Sequence, residues 1–248
     1  EEQMRKLGVP VGIGCHKLSP ACDNCYAEAL VKRFNMTGCN CNGFAPTRKS
    51  NGKKMPQRGV IFCGNVTDLF GLWVTPEEHA DWFEQMNLAT VGSDFRNEAV
   101  YLWLTKRPGN MARAIDNSFE WIGKGAYFGI TAENQEWYDR RIYRLLGNQG
   151  GLIADDYWIS AEPLLGPIDL HLERGWLSVI SWVVVGCESG PKRRPCKIEW
   201  VESIVDQCMR NAVPVFVKQL DIGGECVTDI AKFPRHLQIR QVPWEVAK

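Results

Sequence analysis

Cys15, Cys22 and Cys25 lie in the run Gly14-Cys15-His16-Lys17-Leu18-Ser19-Pro20-Ala21-Cys22-Asp23-Asn24-Cys25-Tyr26, a Cys-x6-Cys-x2-Cys spacing. Thiolates are the natural ligands of zinc and of iron–sulfur clusters. Three of them leave one position of a four-ligand centre open, and that position can take a substrate or a cofactor. Both metals accept thiolates, so the cysteines by themselves leave zinc and iron–sulfur equally open. Cys39 and Cys41, or His16, would complete a tetrahedral zinc set and turn the segment into a structural staple.

A second set of reactive side chains follows a series of apolar runs. Asn65 ends the run Gly59–Asn65 and Asp68 follows it; Thr105 ends Ala99–Thr105, with Lys106 and Arg107 after it. Thr131, Glu133 and Asn134 follow Phe128-Gly129-Ile130, and Ser160 and Glu162 close the Tyr157 run. Glu188 and Ser189 follow Gly186, and Lys218 and Gln219 end the last run. Any one of these is ordinary loop polarity; the repetition points to a common rim. Lys106, Glu188 and Lys218 are the candidates to act on a substrate. There is no phosphate-binding Gly-x-x-x-x-Gly-Lys loop and no nucleophile elbow. The four histidines form no metal motif. His79 is expected at a helix surface, and His171 and His236 have no partners in sequence.

The elements that must hold these side chains alternate. Strands are expected at Gly59–Asn65, Ala99–Thr105, Ala126–Thr131, Tyr157–Ser160, Trp182–Gly186 and Val213–Lys218, with an earlier one near Val9–Gly14. Their near-continuous apolar character suits strands buried on both faces of a parallel sheet. Helices are expected at Tyr26–Phe34, from Thr75 to about Ala89, and at Asn110–Asp116, Gln135–Leu146 and Glu199–Asn211. Thr75-Pro76-Glu77-Glu78 supplies an N-cap, a proline at the first helical position and early acids. Trp82, Phe83 and Met86, and later Trp200, Val201, Ile204, Val205 and Cys208, form the inward stripes. Strand–helix alternation predicts an α/β fold, a full or partial (β/α) TIM-type barrel with parallel strands in a single domain. An open doubly wound sheet is the alternative. Residues 36–58 read as an insertion loop rich in Gly, Asn, Pro and basic residues.

With 248 residues, 45% of them hydrophobic, the chain is long enough to bury a sizeable core. Its formal net charge of +0 excludes a global field toward nucleic acid or membranes. No apolar run reaches the ~20 residues that span a bilayer, and Glu1-Glu2-Gln3-Met4-Arg5-Lys6 lacks a signal-peptide core. Ten cysteines in a chain of this size do not imply a disulfide scaffold. Cys63, Cys187, Cys196, Cys208 and Cys226 read as structural or incidental, and a reducing cytoplasm is expected. Local charge is uneven. Arg48, Lys49, Lys53, Lys54 and Arg58, with Lys192, Arg193, Arg194 and Lys197, join Lys106, Arg107 and Lys218 as a basic collar. Such a collar suits an anionic substrate: a nucleotide, a DNA strand or a phosphorylated metabolite.

Several motifs follow one another in order: Gly14-Cys15 through Cys25-Tyr26-Ala27, Thr67-Asp68-Leu69-Phe70, Leu104-Thr105-Lys106-Arg107-Pro108, Ser160-Ala161-Glu162-Pro163-Leu164-Leu165-Gly166-Pro167, Gly186-Cys187-Glu188-Ser189-Gly190 and Val217-Lys218-Gln219. From about Gly12 to Gln219 the chain resembles a phage-associated family of three-cysteine proteins. That family is similar to a divergent branch of the radical S-adenosylmethionine (SAM) superfamily. The resemblance implies that Cys15, Cys22 and Cys25 ligate a [4Fe–4S] cluster whose fourth iron takes the amino and carboxylate groups of SAM. Reduced by an electron donor such as flavodoxin or ferredoxin, such a cluster cleaves SAM to a 5′-deoxyadenosyl radical that abstracts hydrogen from the substrate. The superfamily spacing is Cys-x3-Cys-x2-Cys. Here the last pair matches, the first interval is longer, and Tyr26 follows the final cysteine. By position, Asn65 to Asp68 would grip the SAM amino group, and Thr131, Glu133, Ser160 and Glu162 the ribose and carboxylate. Phage association implies a modified nucleobase as substrate, through base modification, isomerisation or lyase chemistry. A base in duplex DNA would have to be flipped out first. The competing class is a zinc-stabilised nucleic-acid-binding protein without catalysis.

Overall fold

The computed structural model describes residues 11–34, 47–49, 58–64, 66–90, 99–117, 125–146, 156–173 and 179–246. In chain order the elements are β1 (Val11–Ile13), α1 (Tyr26–Arg33), β2 (Thr47–Lys49), β3 (Gly59–Cys63), α2 (Pro76–Thr90), β4 (Ala99–Thr105), α3 (Pro108–Asn117), β5 (Ala126–Thr131) and α4 (Gln135–Leu146). There follow β6 (Tyr157–Ala161), β7 (Ile180–Gly186), α5 (Ile198–Arg210), β8 (Val215–Ile222), β9 (Glu225–Val227) and α6 (Pro243–Val246). The fold is α/β, with a seven-stranded sheet in the order β3-β4-β5-β6-β7-β8-β9. The β3–β4, β6–β7 and β7–β8 pairs are parallel. Among the described residues β3 and β9 are the two ends of this sheet, so the hydrogen-bonded ring of a complete barrel is not observed. No helix among them is long and apolar enough to cross a membrane.

Three features depart from the simple alternation. β1 does not enter the large sheet; it pairs antiparallel with β2, inside the expected insertion. Between β6 and β7 no helix is found among the described residues. After β8 the chain turns through Gly223-Gly224 (φ 59° and 81°) into an antiparallel β9. Two consecutive glycines at positive φ give the turn whose twist matches a two-residue hairpin.

The chain divides into two compact units. The first comprises Glu1–Leu18, Cys25–Phe128 and Arg144–Asp155. Its core is aromatic: Phe83 meets Trp103 and Phe128 at ring-centre distances of 5.4 and 5.9 Å, and Phe70 lies 6.0 Å from Trp103. Phe83 and Met86 are buried as the helical stripe predicts, and Trp82 is half-buried. His79 corrects the sequence expectation of a surface position. It is buried, its Nε2–H donates to the Leu69 carbonyl at 2.8 Å, and its ring stacks on Phe70 at 5.3 Å. One turn of helix separates His79 from Phe83, so both share the inward face.

The second unit comprises Ser19–Asn24, Gly129–Tyr143 and Asp156–Lys248. Every residue of β6 is buried, as are Val183 to Gly186 of β7, which explains a sequence apolar throughout except at Ser160. Val201, Ile204, Val205 and Cys208 form the buried stripe of α5, while Trp200, expected on that stripe, is half-buried at its edge. Gly129 is required by its neighbour: a Cβ there would run into the Trp158 indole.

Two outcomes are expected. Gly129→Ala forces the Trp158 ring aside and should cost about 1–3 kcal/mol of unfolding free energy, the usual range for overpacking; an unchanged urea midpoint would refute the clash. Burial of His79, only partly offset by its bond to Leu69, lowers its pKa below the ordinary 6.5. The unfolded chain therefore binds this proton more readily than the folded one. Stability from His79 is complete above about pH 6.5 and is lost as pH falls below it. Urea midpoints from pH 7.5 to about 5.5 should decline in the natural protein and flatten in His79→Gln; equal slopes would assign the decline to another group.

Candidate functional site

In the first unit the chain after β1 is drawn against the segment after β3. Gly14 has φ 93°, its N–H donates to the Val66 carbonyl at 3.2 Å, and Thr67 Oγ1 donates to the Gly14 carbonyl at 2.7 Å. Cys15 follows directly. Asp68, buried, accepts on Oδ1 from Phe70 N–H (3.1 Å) and Thr105 Oγ1 (2.7 Å). Its Oδ2 accepts from Lys106 N–H (3.2 Å) and Arg107 Nη1 (2.7 Å). Arg107 also donates to Cys15 Sγ at 3.7 Å and to the His16 carbonyl at 2.8 Å. Its guanidinium lies 4.9 Å from the centre of the Trp73 ring. Burial works against the Arg107 charge, but Asp68 and then Cys15 outweigh it, and its pKa is raised. Asp68 thus reaches Cys15 through Arg107. Cys25 is the N-cap residue of α1, its carbonyl accepting from Ala29 N–H at 3.2 Å.

In the second unit the segment Ser19–Asn24 folds into a 3-10 turn at Pro20–Cys22, and Cys22 is buried. Glu188, at the end of β7, holds it. Glu188 Oε2 accepts from Asn24 Nδ2 (3.0 Å), Arg194 N–H (2.8 Å) and Arg194 Nε (3.0 Å), and Oε1 from Arg194 Nη2 (2.6 Å). Arg194 Nη2 continues to the Pro20 carbonyl at 2.9 Å, and Nη1 reaches Asp23 at 3.4 Å. Burial would raise the Glu188 pKa, but the bonds from Arg194 and Asn24 prevail and it is lowered. Glu133, fully buried, also touches this turn: Oε1 accepts from Ala21 N–H at 3.5 Å. Its Oε2 pairs with Arg141 Nη1 at 2.6 Å, and the same nitrogen donates to the Thr131 carbonyl at 2.7 Å.

A third grouping in the second unit joins Ser160, Glu162 and Lys218. Ser160 Oγ donates to Glu162 Oε2 at 3.5 Å, and Lys218 Nζ pairs with Glu162 Oε1 at 3.0 Å. Gly186 makes room for it, since a Cβ there would lie 2.9 Å from Glu162 Oε1.

The expected site residues therefore fall into local groups: Cys15, Asp68 and the Lys106 backbone; the Cys22 turn with Glu133, Thr131 and Glu188; and Ser160, Glu162 and Lys218. Asn65, Cys39 and Cys41 lie outside the described residues. Four of the collar cations are paired: Arg107, Arg194 and Lys218 as above, and Arg193 with Asp221 at 3.2 Å. For Lys106 and Lys192 no acidic partner is found among the described residues. Cys15 and Cys25 belong to the first unit and Cys22 to the second. Cys15, Cys22 and Cys25 are all thiols outside any disulfide. Among the described residues no group of three or more His, Cys, Asp or Glu is gathered tightly enough to hold a metal ion.

Sequence reasoning missed Arg141 and Asn24 as positioning residues. Arg141 had a signal: it sits three residues after Tyr138 and four before Leu145, both buried, so it shares the inward face of α4. An arginine there needs a buried acid, and Glu133 is the near one. Asn24 had none, because its partner is distant in sequence.

If Glu188 pins the Cys22 turn, Glu188→Gln should speed alkylation of Cys22 about tenfold, the effect of losing roughly 1.4 kcal/mol from a local opening equilibrium. Peptide-resolved mass spectrometry reads it; an unchanged Cys22 rate, with the turn still protected, would assign the anchoring elsewhere.

One family model, described as a protein of unknown function (DUF5131), matches residues 9–240. No curated protein and no solved structure matches the chain.

Proposed function

The chain belongs to the DUF5131 family, proteins of unknown function, and we propose that it is a radical SAM enzyme acting on an anionic substrate, a nucleotide or a base in a DNA strand. Cys15, Cys22 and Cys25 hold its [4Fe–4S] cluster. In this reading the parallel strands β3 to β8 belong to a partial (β/α) barrel, a fold whose ligands sit beyond the carboxyl ends of the strands. The observation that carries the proposal is the set of three thiols, outside any disulfide, with a guanidinium on Cys15 and an anchored turn around Cys22. The donor chemistry of three thiols fits a thiolate-ligated cluster. No preformed three-ligand cage among the described residues adds to that support.

When bound, the cluster and SAM supply one-electron and radical chemistry. The chain's own residues position and exclude. Arg107, tied to Asp68, holds Cys15; Glu188 and Arg194 hold the turn carrying Cys22. Asp68 and Glu133 are buried against guanidinium groups, so they act as anchors, and releasing them would leave an uncompensated charge. Glu162 is different. Its partner Lys218 is exposed, and a pair of that kind is worth about 0–1 kcal/mol, so Glu162 can exchange it for the ammonium of SAM. Ser160 and Thr131 lie beside the same strand ends as candidate ribose contacts, with Asn65 as a further candidate for the amino group. Lys106 and Lys192 are candidate cations for an anionic substrate.

The test is anaerobic purification and reconstitution of the whole chain. The expected product is brown, holds iron and sulfide in equal amounts, and forms 5′-deoxyadenosine with dithionite and SAM; Cys22→Ala loses both colour and product. Colourless protein with stoichiometric zinc would replace this reading with the zinc-stabilised nucleic-acid-binding module.

A further inference from the structure

We infer that Cys187 and Cys226 form a redox-active dithiol that closes reversibly to a disulfide. The inference is independent of the iron–sulfur reading, because neither residue belongs to the three-cysteine run. Both lie in the second unit, with their Sγ atoms 3.6 Å apart, the Cys187 S–H donating to Cys226. A disulfide requires about 2.0 Å, so a small approach closes the bond.

The two partners are unequally free to move. Cys187 is fixed through its backbone: its N–H donates to the Gln219 carbonyl at 3.2 Å, and its carbonyl accepts from Gln219 Nε2 at 2.5 Å. Cys226 sits opposite Asp221 in the three-residue edge strand β9, reached through the Gly223-Gly224 turn. A short edge strand paired on one side is the element that can shift.

They are also unequally accessible. Cys187 is buried and Cys226 half-buried, so an oxidant reaches Cys226 first and Cys187 resolves the product. Burial, and then the adjacent Cys226, push the Cys187 thiol up. Cys196 and Asp221 lie close enough to act on Cys187 as well, which makes Cys196 the competing partner. Cys196 is itself buried, its thiol pushed up to about 12 by burial and by Asp221.

With hydrogen peroxide as oxidant the chemistry balances. The Cys226 sulfur attacks one peroxide oxygen, the O–O bond breaks, and a sulfenic acid forms as the thiol proton leaves with the other oxygen as water. The Cys187 sulfur then attacks the sulfenic sulfur, the S–S bond forms, the S–O bond breaks, and the Cys187 proton departs in a second water. Two thiols lose two electrons and one peroxide becomes two waters. Cys187 precedes Glu188, so the bridge ties the β9 edge to the strand end that anchors the Cys22 turn.

The full chain, reduced and desalted under nitrogen, is treated with one equivalent of peroxide, alkylated in denaturant and digested without reduction. The expected result is a Cys187–Cys226-linked peptide pair as the main cross-link, removed by dithiothreitol, lost in Cys226→Ser and retained in Cys196→Ser. A main cross-link through Cys196, oxidation of Cys226 to sulfinic acid with Cys187 still alkylatable, or no cross-link would overturn it. The natural chain's map alone decides if either variant fails to fold.

Discussion

Each acid that ends a strand of this protein faces the same constraint: a carboxylate taken out of water must find a cation and further donors, or it costs several kcal/mol. Asp68, Glu133 and Glu188 are all buried, and each has found an arginine. The arginines do more than neutralise. Arg107 reaches Cys15 and the His16 carbonyl, and Arg194 reaches Pro20 and Asp23. The carboxylates add their own contacts, Glu133 to Ala21 and Glu188 to Asn24. The residues around Cys15 and Cys22 are thereby tied, within their respective units, to the rigid ends of strands.

This division of labour changes what the polar strand ends can do. Asp68 and Glu133, expected as cofactor contacts, and Glu188, expected to act on the substrate, each hold the chain through an arginine. Arginine suits that work because its planar fork bonds several acceptors at once, as Arg194 does with both oxygens of Glu188. Lysine, a flexible point charge, is left at the periphery: Lys218 is more than half exposed on Glu162. The groups best able to exchange a protein partner for a ligand are therefore Glu162 and the lysines.

The cysteines sort by surroundings in the same way. Cys63 and Cys208 are buried among apolar side chains, which raises their thiols, Cys208 to about 12, and they behave as small hydrophobes. Cys15 has a guanidinium beside it, and Cys187 has another sulfur. One residue type thus supplies packing, a candidate metal ligand and a candidate redox couple, and the neighbours decide which.

Periodicity and composition determined the α/β class, the β4 and β5 strands to the residue, α4 to the residue and the inward stripes of α2 and α5, because burial on both faces or on one stripe leaves its mark within a few neighbouring positions. The three-cysteine spacing and the acids after each strand were legible for the same local reason. Tertiary structure alone decided that Asp68 meets Arg107 and Glu188 meets Asn24, that β1 pairs with β2, and that Cys187 meets Cys226. Those outcomes rest on pairs such as Asn24 with Glu188 or Asp68 with Arg107, whose members are far apart along the chain. A pairing of that kind depends on which strand ends the fold brings together, and no window of sequence contains both partners.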